Sequence, residues 1–268
     1  MLVLLPPSEG KAAPGGGAPL DPGALSLPGL APARAAVLDE LVGLCAGDEG
    51  KAREVLGLSE GLRGEVAKNA ALRTAGTRPA GEVYTGVLYD ALGLGTLAPA
   101  AARLAASSLL VFSGLWGAVG VADPIPSYRC SMGVKLPGIG ALGAYWRGPM
   151  AEVMPEAAGD GPVLDLRSSA YAAAWQPKGE LASRTAAVRV LHSRVDERTG
   201  EEKRSVVSHF NKATKGRLLR DLLTAGAAPA SPAELVGALR DLGYAVEAAE
   251  PARAGRPWRL DVVVTDVH

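Results

Sequence analysis

The sequence predicts an α+β protein, a mixed sheet with α/β elements. Three observations carry this. Strand-length apolar runs at 1–5, 109–112 and 163–166 stand between segments whose apolar residues recur at helical spacing. Each run ends in a polar or Pro/Gly-rich exit. Two further runs, at 188–193 and 205–210, flank Asp196, Glu197, Arg198, Thr199 and Gly200, which is a hairpin signal and adds an antiparallel part.

Taken in order, residues 1–5 are apolar throughout and stop at Pro6-Pro7, which cannot continue a ladder. Residues 12–32 are Gly, Pro and Ala-rich and read as a mobile or irregular connection. Ala35, Leu38, Leu41, Val42 and Cys45 give a helix over 32–45. Residues 48–58 and 59–72 read as two short helices joined at Gly57, with Ser59 as an N-cap. That pair is compatible with an ordinary αα-hairpin and with a helix-hairpin-helix nucleic-acid element, and both readings stay open. Residues 80–86 read as loop or short strand, and 87–92 and 99–106 as helices. Residues 123–129 are extended and turn-rich, and 143–153 are helical. Residues 231–242 form a helix capped by Ser231, with Glu234 at the capping-box position, and 260–265 close the chain as a strand. No repeat or heptad interrupts a single domain over 1–268, with 48–72 as the helix-pair element.

A hydrophobic content of 48% excludes a largely disordered chain, and 268 residues suffice for a large core. Charge is balanced, 28 Lys+Arg against 28 Asp+Glu, so a local excess is informative. Between 203 and 220 stand Lys203, Arg204, Lys212, Lys215, Arg217 and Arg220 with no carboxylate. The segment reads as a strand over 205–210, a turn, and a helix starting near Asn211 or Lys212. Cations and backbone N–H groups at such a turn suit a phosphate or another anion. Lys212 and Lys215 oppose the helix dipole in a first turn, a conflict that a bound anion relieves.

Cys45 and Cys130 lack metal-ligand spacing, and no disulfide is expected between them. No run is long enough for a membrane span and no signal peptide is visible, so a cytoplasmic monomer without a membrane partner is the expectation. Aromatic residues are only 4% of the chain, so each Tyr and Trp is expected at a specific place.

Three polar loops leave apolar strands at their C-terminal ends: 6–11, 113–117 and 167–171. Ligand sites form at that edge of open α/β sheets. Neighbouring parallel strands would bring Ser8, Glu9, Lys11, Ser113, Arg167, Ser168, Ser169 and Tyr171 together. Pro6-Pro7-Ser8-Glu9-Gly10-Lys11 is not a phosphate-binding P-loop, since it lacks the first glycine and the Ser or Thr after lysine. Arg129 and Lys135 form a second cationic pair. Glu9 and His209 are the catalytic candidates, as general bases. No residue pattern suggests a metal, and no cofactor is expected.

Seven blocks, in order, carry a resemblance. They are the opening run through Lys11; Val83-Tyr84-Thr85-Gly86; Phe112-Ser113-Gly114-Leu115-Trp116-Gly117; Asp123 through Arg129; Met132-Gly133-Val134-Lys135; Leu164 through Tyr171; and Ser208 through Arg217. With these the chain resembles the peroxide-stress protein YaaA family, also called UPF0246 or DUF328, over nearly its whole length. The resemblance implies a cytoplasmic α+β protein that binds DNA and limits damage by iron and peroxide, with a basic cleft and a helix-hairpin-helix-like element at 48–72. The opening loop departs from the Ser-Pro-Ala-Lys-Thr-Leu of other members, so a ligand of one branch need not bind the other.

Two functional readings follow. In the first, the protein binds double-stranded DNA, with Arg129, Lys135, Lys212, Lys215 and Arg217 on phosphates. In the second, it is an enzyme acting on a nucleotide such as ATP or another phosphorylated small molecule. A compact pocket would then hold Ser8, Lys11, Arg167, Ser168, Ser169, Tyr171, Asn211, Lys212 and Lys215, with Glu9 or His209 as base.

Overall fold

A computed structural model describes residues 1–195, 198, 201–206 and 208–265, apart from the side chains of 195, 208 and 209. The strands are β1 (Leu2–Leu5), β2 (Thr77–Pro79), β3 (Leu109–Ser113), β4 (Gly117–Gly120), β5 (Pro124–Pro126), β6 (Lys135–Leu136), β7 (Gly140–Ala141), β8 (Val163–Asp165), β9 (Thr185–Val195), β10 (Glu202–Ser205), β11 (Ala245–Ala249) and β12 (Trp258–Val264). The main sheet has the order β11-β12-β9-β8-β1-β3-β4, with β10 paired to β9; β2–β5 and β6–β7 are two-stranded sheets. β12, β9, β8, β1 and β3 run parallel as neighbours, and β4, β10 and β11 add antiparallel edges. The mixed sheet and the α+β class are therefore those the sequence predicts.

β1 sits in the middle, between β8 and β3, and all four of its residues are buried. An uninterrupted apolar run is what a central parallel strand requires. In register, Leu4 lies opposite Leu110 on one side and Asp165 on the other. The three polar exits after β1, β3 and β8 thus leave one edge side by side.

The 12–30 connection is irregular but pinned. Gly15 and Gly17 donate to the carbonyls of Gly76 and Thr77, and Ser26 donates twice to Asp123 (3.0 and 2.7 Å). Arg34, in the Ala31–Ala46 helix, completes the attachment. It is buried and donates to the carbonyls of Trp116, Ala118, Ser26 and Leu27.

Several local expectations need correction. Residues 80–83 form a short helix, Ala80–Val83, rather than loop or strand. Ser59 precedes a 3-10 turn, Glu60–Leu62, and makes no side-chain cap bond; the second helix of the pair is Gly64–Ala70. The 205–210 strand is largely helix: β10 ends at Ser205 and the long helix Ser208–Thr224 already includes Phe210 and Asn211. Thr214, Lys215, Leu218, Leu219, Leu222 and Leu223 are buried at helical spacing, and Gly216 lets this helix touch the Val87–Leu92 helix. A Cβ on Gly216 would stand 2.3 Å from the Leu88 carbonyl oxygen. Tertiary packing thus decides the helix's extent over the local alternation. Most of the expected loop at 196–200 lies outside the described residues. Ser231 caps its helix as expected, accepting from the Glu234 amide while the Glu234 carboxylate accepts from Ala230.

Candidate functional site

The loop after β1 is stitched onto the 83–89 segment. Ser8 Oγ donates to the Gly10 carbonyl (2.6 Å) and accepts from the Thr85 amide (3.0 Å). Tyr89 donates to the Pro6 carbonyl (2.7 Å), and Lys11 pairs with Tyr84 through a backbone bridge. Lys11 Nζ donates to the Ser8 carbonyl (3.0 Å) and lies 4.4 Å from the centre of the Tyr128 ring and 5.8 Å from that of Tyr84.

Below this amine runs a chain of hydroxyls. Ser113 Oγ, at the end of β3, accepts from the amides of Leu115 (3.1 Å) and Trp116 (3.0 Å). It is 2.6 Å from the Tyr128 hydroxyl, which is 2.9 Å from that of Tyr84. Tyr84 also stacks on Tyr89 at 5.5 Å. Tyr171 lies close enough to Tyr84, Glu9 and Cys130 to feel their charge. Four of the six tyrosines therefore gather at this edge.

Arg129 closes one side. Its guanidinium donates to the Glu9 carbonyl (2.9 Å) and pairs with the Glu9 carboxylate at 3.1 Å. The Arg129 backbone is held from both sides by Asn69, which accepts from its amide (2.9 Å) and donates to its carbonyl (2.7 Å). Asn69 is fully buried and lies in the Gly64–Ala70 helix, so the helix pair supports the site. Three cations of that pair are occupied internally, Arg53 with Glu60, Arg63 with Glu49 and Glu60, and Lys68 with Glu65, while Lys51 is exposed.

At the exit of β8, Arg167 is buried and grips the Asp165 carboxylate in a fork, Nε to Oδ1 at 2.9 Å and Nη2 to Oδ2 at 2.7 Å. It stacks on Phe112 (4.2 Å) and Trp175 (5.5 Å). Ser168 and Ser169 begin the short Ser169–Ala172 helix that carries Tyr171. Lys215 reaches in from the Ser208–Thr224 helix and donates to the Leu166 carbonyl (3.0 Å). A cavity of about 400 Å³ lined by Arg147, Ala151, Ala173, Trp175, Gln176 and Lys178 adjoins this exit through Trp175.

Burial sets the electrostatics. It pushes the Lys11 amine down to about 8; Glu9 opposes this and Arg129 adds to it. It pushes Lys215 down to about 8 as well, with Asp165 opposing. Burial raises Tyr84, Tyr89, Tyr128 and Tyr171, so all four stay phenols. It also pushes the Cys130 thiol up to about 12, which removes thiolate chemistry there. Both cysteines are free.

A family model described as Peroxide stress protein YaaA matches residues 1–250. The chain belongs to the peroxide stress protein YaaA family. It is 75% identical to a UPF0246 protein of Streptomyces coelicolor over 268 residues, the whole of both chains. It is 41% identical to a UPF0246 protein of Corynebacterium efficiens, over 98% of this chain and all of that one. A Corynebacterium glutamicum relative is 39% identical over 83% of this chain and 84% of its own length.

In this YaaA-family chain the predicted residues divide. Ser8, Glu9, Lys11, Arg129 and Tyr171 meet at the edge. Lys135 is exposed on β6, whose neighbours are β7 and the Glu49–Leu56 helix. The basic stretch is dispersed: Arg204 pairs with Glu202 and Glu247, and Arg220 donates to the carbonyls of Leu92, Gly93 and Thr96. Lys212 and Arg217 are exposed on the long helix, and Arg217 reaches Thr214 at 3.5 Å. Asn211 Oδ1 is buried with no partner among the described residues. The His209 side chain lies outside the described residues. Among those described, no group of three or more His, Cys, Asp or Glu is placed to hold a metal, and no helix is long and apolar enough to cross a membrane. The hydroxyl chain, Asn69 and Asp165 escaped the sequence reading; the scarcity of aromatics was the signal that marked the tyrosines.

The two lysines make a pH prediction. Their folded pKa of about 8 lies below the unfolded 10.5, so between these values the unfolded chain holds protons that the folded chain has released. Stability therefore rises with pH above about 8. The buried tyrosines reverse the trend above about 10, their ordinary value, where the unfolded chain loses protons first. Urea midpoints should climb from pH 8 to 10, and Lys11→Met with Lys215→Met should flatten that climb.

Proposed function

We propose that this protein acts in the peroxide stress response for which its family is named by binding a small anionic molecule, a nucleotide or other phosphorylated compound, at the carboxyl edge of β8, β1 and β3. One observation carries the reading: this strand order gathers Lys11, Arg129, Tyr171 and Lys215 around the exits of three adjacent parallel strands. Ligands of open α/β sheets settle there. The hydroxyls and amines offer directed donors, as a small-molecule site does.

A second reading, binding of double-stranded DNA, is supported by exposed Lys212 and Arg217 on the helix that carries Lys215. It is weakened by the internal partners of Arg53, Arg63, Lys68, Arg204 and Arg220.

Two titrations separate them. The first reading expects ATP to raise the melting temperature, Lys212→Ala with Arg217→Ala to leave that rise intact, and duplex DNA to bind weakly at 200 mM salt. Submicromolar DNA affinity with a salt slope of several ions, lost in the double variant, would replace it with the second.

A further inference from the structure

We propose that Lys11 is a nucleophilic amine that condenses with the carbonyl carbon of a small aldehyde or ketone, with the Tyr84 hydroxyl donating to the carbonyl oxygen. This names the chemistry of the ligand reading above and rests on it.

The amine comes first. Lys11 Nζ is seated over the Tyr128 ring and donates to one backbone carbonyl. Among the described residues no carboxylate lies within ion-pair distance of it, because the nearby Glu9 carboxylate is on Arg129 at 3.1 Å. A buried ammonium without a carboxylate partner is costly, so the environment shifts Lys11 toward the neutral, nucleophilic form. The depressed pKa of about 8 agrees. The backbone is fixed as well: Lys11 bridges to Tyr84, and the Ala12 amide donates to the Val83 carbonyl at 2.9 Å. The amine is thus held at a fixed place.

The proton donor follows from counting hydrogens. Ser113, Tyr128 and Tyr84 each carry one hydroxyl proton. Ser113 Oγ already accepts two amide N–H groups, so its own proton goes to Tyr128. Tyr128 then donates to Tyr84. This direction leaves the Tyr84 proton at the end of the chain, with no acceptor among the described residues. Burial keeps the Tyr84 and Tyr128 phenols protonated, and each bond in the chain polarises the next.

The step balances without an oxidant. Neutral Nζ forms a bond to the carbonyl carbon, and the carbonyl π pair moves to oxygen, which takes the Tyr84 proton. Transfer of the amine protons and departure of the oxygen as water give the imine, so amine plus carbonyl becomes imine plus water. Tyr84 recovers its proton from nitrogen through the site.

The test is borohydride trapping with pyridoxal 5′-phosphate and with unphosphorylated pyridoxal, read by peptide mass mapping of the full chain. Labelling of Lys11 should exceed that of exposed Lys212 by about tenfold or more at pH 7.5, since far more of a lysine titrating near 8 is neutral there. Its rate should rise with pH through about 8 and then level off. Tyr84→Phe should slow it by about 100-fold, at the lower end for loss of a general acid, without changing its pH midpoint. Equal labelling of all lysines, preference for Lys215, or a Tyr84→Phe rate equal to wild type would overturn the proposal. Stabilisation by ATP with no imine at Lys11 would sink this chemistry and leave the ligand reading standing; loss of both would remove the site itself.

Discussion

Asp165→Asn should destabilise the fold by about 3–5 kcal/mol, the usual cost of removing one partner from a buried ion pair. The Arg167 side chain is only 1% exposed and both of its forked bonds end on Asp165. Phe112 and Trp175 cover its faces, so water does not replace the lost carboxylate. The variant leaves a guanidinium buried against two aromatic rings. Converting both residues, Asp165→Asn with Arg167→Met, should recover much of the loss, because an apolar side chain of similar length has no charge to strand. Urea denaturation of the three proteins measures this. The comparison also bears on role. If Arg167 held the ligand's charge, Asp165→Asn would tighten anion binding at little cost in stability. A midpoint within error of wild type would therefore return Arg167 to the ligand site.

The skeleton of the site was legible because it depends on local pattern. The apolar runs 1–5, 109–112 and 163–166 became β1, β3 and β8, and their polar exits share one edge. What escaped depends on partners distant in sequence. Ser113, Tyr128 and Tyr84 are 15 and 44 residues apart along their hydrogen-bonded chain, and nothing in the spacing of single tyrosines announces it. β4 (Gly117–Gly120) and β11 (Ala245–Ala249) were missed because Gly and Ala carry little strand preference; pairing along the sheet edge makes them strands. The basic stretch misled for a related reason. Its cations are contiguous in sequence, but a strand and a helix send Arg204 and Arg220 to different acceptors. Charge in a segment predicts a charged surface only where the fold leaves it unpaired.

Arg34→Ala should have an effect of similar size for the opposite reason, since it strands acceptors rather than a charge. The residue lies in the first turn of the Ala31–Ala46 helix and is only 2% exposed. Nε donates to Trp116 (3.0 Å), Nη2 to Ser26 (2.8 Å) and Ala118 (2.6 Å), and Nη1 to Leu27 (3.4 Å). A planar fork serves acceptors on both β4 and the 26–27 turn, which a lysine ammonium does not match. Burial lowers its pKa to about 10, with Asp123 opposing, so the group stays charged at neutral pH and its bonds are charge-assisted. Each buried carbonyl left without a donor costs about 1–3 kcal/mol, which sets the expected loss at about 4 kcal/mol or more. Arg34→Lys should recover only part of it. Hydrogen exchange locates the damage: the Ser26 and Gly120 amides, both bonded to Asp123, should lose protection before those of β1. Protection that falls equally everywhere would mean that Arg34 supports the whole core. An unchanged melting temperature would mean that water satisfies the four carbonyls, and the connection would then be held by Asp123 and by the bonds of Gly15 and Gly17 to residues 76 and 77.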